Sequence, residues 1–114
     1  MGGSTHPTTI IASEALAPFF GKPTSTLLGR SGERADASHA ALINGIASHV
    51  HDYDDTHLET IIHPTGPVAS ALLAQAEARG GVSGEEFILA LVVGIEAECK
   101  VGLGVWPEHY DIGW

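Results

Sequence analysis

The 114-residue sequence predicts an all-α fold, a small bundle of about three helices preceded by an irregular N-terminal arm over residues 1–35. Three observations carry that expectation. Leu42, Ile46, Val50 and Tyr53 recur at intervals of four, four and three residues, the spacing of an amphipathic helix. A second apolar set, Val68, Leu72, Leu73 and Ala76, is closed by Gly80-Gly81, a pair that stops a helix. Ser83 then stands three residues before Glu86, a capping box in which each side chain satisfies a backbone donor at the other position.

Taken in order, the arm is rich in Gly, Pro, Ser and Thr. Its short apolar patches, Thr9-Ile10-Ile11-Ala12 and Thr26-Leu27-Leu28, suit a helical turn or a short strand equally, because periodicity does not decide over so few residues. The helical part covers residues 36–114. Asp36 or Ser38 is placed to cap its first helix. Gly45 inside that helix costs about 1 kcal/mol relative to alanine, so a close helix contact is expected there. The second helix runs from Pro67 to Arg79, with its four apolar residues buried. The third, from Gly84 to about Val101, is apolar almost all round through Leu89-Ala90-Leu91-Val92-Val93, and a helix without a polar face is a buried one. In so small a domain that burial requires further protein, so a homo-oligomer is expected. Gly102, Gly104 and Pro107 end the helix.

Composition narrows the function. Five basic residues against fourteen acidic ones give a formal charge of −9, which argues against nucleic acid and anionic membranes as partners. The single cysteine, Cys99, excludes an internal disulfide and a thiolate metal framework, and it reads as a small buried hydrophobe on an apolar helix. The first residues have neither the basic start nor the apolar stretch of a signal peptide. The longest apolar run, from Phe87 to Ile95, is shorter than the roughly 20 residues that span a bilayer. A soluble, cytoplasmic protein is expected, or a mitochondrial one if the source is eukaryotic.

The chemistry concentrates in residues 49–64, which hold four of the seven histidines and three aspartates. If the first helix continues through this stretch, His49, Asp52 and Thr56 share one face. His63 precedes Pro64, which biases it towards an extended backbone, and Thr65-Gly66-Pro67 reads as the start of the next helix. A carboxylate, a hydroxyl and an imidazole thus meet at a helix N-terminus, whose free N–H groups and partial positive charge suit a substrate carboxylate. The same residues suit a structural part as well, with Asp52 and Thr56 bracing a helix end and His63 satisfying loop carbonyls. Asp54 and Asp55 read as a solvated acidic patch. His49, His51, His57 and His63 do not share a helical face and lack the H-E-x-x-H spacing, so no metal is expected.

Several stretches together resemble the MmgE/PrpD family. They are Ala41-Leu42-Ile43-Asn44-Gly45, His51-Asp52-Tyr53-Asp54-Asp55-Thr56-His57 and His63-Pro64-Thr65-Gly66, followed by Ala76-Glu77-Ala78-Arg79-Gly80-Gly81-Val82-Ser83-Gly84 and the closing Trp106-Pro107-Glu108-His109-Tyr110. The resemblance runs from about Thr9 to the last residue, and the Asp-x-Asp-Asp-Thr with His-Pro combination is its most specific part. It implies a lyase that dehydrates or decarboxylates a small di- or tricarboxylic acid, of the 2-methylcitrate or cis-aconitate kind, without metal or organic cofactor. Carried over residue by residue, it implies Asp52 and His63 as catalytic groups, with Thr56, His63 and Thr65 binding substrate. The family is similar to a helical domain plus a smaller α+β lid, so a chain this short is expected to be a truncated member equivalent to part of the helical domain. The family's later histidine, lysines and tyrosine have no counterpart here. Two alternatives stay open: an isomerase or epimerase with a remodelled site, and an inactive helical module that acts through association.

Overall fold

The computed structural model describes residues 2–113, with the side chains of His109 and Tyr110 outside the described set. Five α-helices follow one another: α1 over Pro7–Leu16, α2 over Ala37–His49, α3 over Thr65–Ala78, α4 over Gly84–Val105 and the short α5 over Glu108–Asp111. Between α1 and α2, β1 (Ser25–Thr26) pairs antiparallel with β2 (Arg34–Ala35), Ser25 opposite Ala35. The small helical bundle is as the sequence predicts. The first 35 residues hold more regular structure than their composition suggested. Pro7 occupies the first helical position of α1 and His6 Nδ1 accepts the Thr8 amide, so the helix has a start signal that apolar periodicity alone does not reveal.

Helix starts and stops follow local chemistry. The Asp36 carboxylate accepts the amides of Ser38 and His39 at 3.2 and 3.3 Å and so caps α2. It also accepts the Gly21 amide at 2.8 Å and meets His39 Nδ1 at 2.6 Å. Those two bonds, the Gly21 amide first, hold its carboxyl well below the usual carboxylate range. Gly80 and Gly81 adopt φ of 85° and 108° to close α3. Ser83 and Glu86 form the capping box of α4, and that reciprocal bond keeps the Glu86 carboxyl low.

The buried faces differ from those the apolar spacing predicts. On α2 the interior residues are Ala40, Ile43, Asn44 and Ala47, while Leu42 is half exposed and Tyr53 lies beyond the helix in solvent. On α3 they are Gly66, Ser70 and Ala74, while Leu73 is partly exposed. The reason is size. Small side chains let two helices approach closely, and the larger aliphatic residues beside them stay outside the seam. The tight contact expected at Gly45 falls at Gly66, where an added Cβ would lie 2.7 Å from Ser48 Oγ; one at Gly45 would meet nothing within 4 Å. Gly94 lets α4 approach α3 in the same way, against Val68.

A polar seam ties the hairpin to these helices. Buried Asn44 accepts the Leu28 amide at 2.8 Å and donates to the Thr26 carbonyl at 2.9 Å. Ser25 donates to the Ala74 carbonyl at 2.7 Å, and the Thr26 hydroxyl donates to Glu77 at 2.8 Å. Leu27, Ala35, Ala40, Ile43 and Ala74 form the apolar core around this seam. By contrast α4 buries only Cys99 and Gly102, and Ile88, Leu89, Val92 and Val93 are each more than half exposed. No described helix is long and apolar enough to cross a membrane.

Asn44→Ala leaves the Leu28 amide and the Thr26 carbonyl, both partly buried, without this partner. Urea denaturation is expected to show a loss of about 2–4 kcal/mol; a loss under half a kilocalorie would mean the hairpin is not anchored through this residue.

Candidate functional site

Helix α2 ends at His49, not beyond it, so the continuous face carrying His49, Asp52 and Thr56 does not form. Asp52 takes φ of 54°, a left-handed conformation that aspartate tolerates better than most residues, and its amide bonds the His49 carbonyl at 2.7 Å. The chain then loops back to α3. His57 and Ile62 form an isolated antiparallel bridge, and Ile61 between them sits at φ 58°. A β-branched residue is rarely found there, so the turn that delivers His63 carries local strain.

The loop folds around Asp54. Its side chain is 11% exposed, and both its oxygens lie 3.1 Å from His49 Nδ1 at the end of α2. A carboxylate can only accept, so Nδ1 carries the proton in that bond. Asp54 Oδ1 is also 3.6 Å from His63 Nδ1, and the two imidazole rings are 4.8 Å apart between centroids. On the outer side Asp52 Oδ1 is 3.9 Å from His63 Nε2, with the Asp52 side chain 78% exposed. His63 Nδ1 is sequestered from solvent and has no hydrogen-bond partner among the described residues.

Of the residues the sequence singles out, Asp52 and His63 come together. Thr56 is exposed and makes no hydrogen bond to this group among the described residues. Thr65 opens α3, but its amide and hydroxyl are both taken by Asp55, at 3.3 and 2.7 Å. Asp55 therefore occupies part of the helix N-terminus that the sequence offers to a substrate. It is a brace that remains exposed, whereas Asp54, the centre of the cluster, is largely withdrawn from solvent. His51 stacks edge-on against His6 and His57 meets Thr60 Oγ1 at 2.7 Å, so both are turned elsewhere.

A cleft of about 420 Å³ opens between α2, α3 and α4, with His49, Asp54 and His63 on one side and Glu98 on another. Burial first, and the charge of Asp55 second, push the Glu98 carboxyl above its ordinary value. A second cleft of about 380 Å³ lies on the far side of Asp54, against Ser48, Thr65 and Ser70. Asp54 and Glu98, and the contact of His49 with Asp54, escape a reading of the sequence because their meeting is set by the loop and by packing. The one signal present was the presence of two histidines five residues before and nine after Asp54. Chemically, an imidazole between two carboxylates at the edge of a cleft can hold and pass a proton, and with its proton on it attracts an anionic ligand.

The family model of the MmgE/PrpD N-terminal domain matches residues 1–114. The chain is 38% identical over 103 residues to human cis-aconitate decarboxylase, covering 87% of this chain and 21% of that protein. It is 42% identical over 82 residues to the mouse cis-aconitate decarboxylase, covering 68% and 16% respectively. It is 29% identical over 119 residues to a cis-aconitate decarboxylase-like protein of Aspergillus oryzae, covering 98% and 24%. The chain thus spans about a fifth of the length of these curated relatives. No solved structure matches it.

Proposed function

The chain belongs to the MmgE/PrpD family, and from that premise we propose that it is the helical part of a lyase acting on a small tricarboxylic acid of the cis-aconitate kind. The observation that carries the proposal is the arrangement of His63, held between Asp54 and Asp52 at the edge of a cleft. The substrate class comes from the names of the relatives. In a decarboxylation, the bond from carbon to a carboxylate breaks and carbon dioxide leaves. The electron pair left on carbon then takes a proton. His63 is the donor we assign, with Asp52 near its Nε2 to relay a proton to it from solvent and the negative charge of Asp54 on its Nδ1 side. His49 adds a second imidazole facing the substrate carboxylates. Thr56 is open to a substrate hydroxyl or carboxylate, and Thr65 contributes through the hydroxyl it shares with Asp55. No metal or organic cofactor enters this scheme. A reducing, cytoplasmic compartment belongs to the same reading, which the single unpaired cysteine fits.

The exposed apolar face of α4 supports a further element, that the working form is a homo-oligomer packed through this helix. Isolated exposed aliphatics are ordinary, but Ile88, Leu89, Val92 and Val93 form one contiguous strip, each 57–64% exposed. The same strip favours the second reading, a helical module that acts through association without turnover.

Calorimetric titration with cis-aconitate is expected to show His63→Ala weakening binding by roughly one to two powers of ten, the loss of a hydrogen bond to a charged group. Asp54→Ala is expected to weaken it in the same direction, and His51→Ala to leave it unchanged. Equal losses across all three would reduce the effect to diffuse electrostatics, and no binding by the parent chain would leave the non-catalytic module as the better reading. Sedimentation at micromolar concentration is expected to find an oligomer that Val92→Glu dissociates; a stable parent monomer would contradict packing through α4.

A further inference from the structure

We propose that Glu98 on α4 is a further substrate-binding residue of the cleft, one that takes up a proton from solvent as a tricarboxylate enters and donates a hydrogen bond to one of its carboxylates. The inference rests on the lyase reading for the identity of the ligand, and it adds a group from a third helix to the two that the loop joins. The lining of the cleft carries it: His49, Asp54 and His63 form one wall, and Glu98 stands on another. Glu98 also differs from its neighbours on α4. Glu86 closes the capping box with Ser83, and Glu96 pairs with Lys100 at 2.9 Å in solvent. Glu98 is partly buried, and its side chain makes no hydrogen bond or ion pair among the described residues.

A carboxyl drawn out of water with no partner is costly when ionised and cheap when neutral. Burial, and after it the charge of Asp55, already favour the neutral form of Glu98. The groups facing it are His49 from the end of α2 and Asp54, Asp55 and His63 from the loop, while α3 brings Pro67, which does not titrate. A protonated imidazole attracts an anionic ligand, but an ionised Glu98 repels it. The arriving tricarboxylate is a further like charge beside Glu98 and drives its protonation on. The neutral acid then has an O–H to give, and its bond to a substrate carboxylate is charge-assisted. Because the proton is held more tightly in the complex than in the free cleft, affinity is greatest at low pH and is lost as the pH rises through the value Glu98 has in the complex. His49 and His63 contribute uptake of the same sign, so a comparison of variants is needed to isolate Glu98.

The test is calorimetric titration of the full chain with cis-aconitate from about pH 5 to about pH 8, for the parent, Glu98→Gln and Glu96→Gln. Glutamine keeps the neutral shape and an N–H donor but cannot ionise. Glu98→Gln is expected to match the parent near the acid end and to bind about threefold or more tightly than it near the alkaline end, a flatter profile worth about half a pKa unit or more. Titrations repeated in phosphate and Tris, whose ionisation heats differ, are expected to show fewer protons taken up per ligand than by the parent. Glu96→Gln, which removes an equal charge from the exposed side of the same helix, is expected to follow the parent. Should Glu98→Gln prove unfolded by circular dichroism, the carboxyl carbon resonance of Glu98 in the parent serves instead, and is expected to move to the position of the protonated acid when cis-aconitate is added at neutral pH. Parallel profiles for the parent and Glu98→Gln, an unmoved resonance, or an equal flattening by Glu96→Gln would overturn the proposal and leave the lyase reading standing. No binding by the parent at any pH would overturn both.

Discussion

The close approach of α2 and α3 is the constraint on which the rest of the structure depends. Ala40, Ile43, Asn44 and Ala47 on one helix face Gly66, Ser70 and Ala74 on the other, and a methyl added at Gly66 would lie 2.7 Å from Ser48 Oγ, which would have to shift. Because the seam fixes how far the end of α2 lies from the start of α3, it also fixes the span that residues 50–64 must bridge. His49 is the last residue of one helix and Thr65 the first of the other. The loop between them folds inward on Asp54 and delivers His63 beside His49. The strain at Ile61 and the left-handed turn at Asp52 are local costs of that closure, offset by the bonds Asp54 and Asp55 make.

Much of this was legible in the sequence where the determinant is local. The Asp36 cap, the start of α3 at Thr65, its glycine stop and the Ser83–Glu86 capping box each involve residues within a few positions of one another. Non-local determinants were not legible. Apolar spacing put Leu42, Leu73 and Tyr53 in the interior, but apart from Ile43 and Asn44 the α2–α3 seam is made of alanine, serine and glycine, whose value lies in close helix packing. Asp54 and Asp55 read as solvated because nothing in a short window says that one will meet His49 and the other will cap a helix ten residues on. Gly45 and Gly66 illustrate the same limit. Both sit in helices, but only one stands at a crossing.

The candidate site is built from the end of α2, the loop that follows it and the start of α3, with α4 on its far side. The chain supplies an imidazole pair, two carboxylates and a cleft that reaches Glu98, whose carboxyl is held high by burial and by Asp55. The chain spans about a fifth of the length of the curated relatives it matches. Buried polar seams hold α2, α3 and the hairpin together, while the longest helix presents its aliphatic side chains outward.

The most direct measurement is a paired comparison of Gly66→Ala and Gly45→Ala by urea denaturation, with the ring resonances of His49 and His63 followed by NMR. Gly66→Ala is expected to destabilise the fold by about 1–3 kcal/mol through overpacking and to move both histidine rings. Gly45→Ala, with open space around it, is expected to stabilise by roughly 0.5–1 kcal/mol, the helix preference for alanine over glycine, and to leave the rings in place. A Gly66→Ala protein as stable as its parent, with both histidine signals unmoved, would contradict the claim that the α2–α3 seam sets the site.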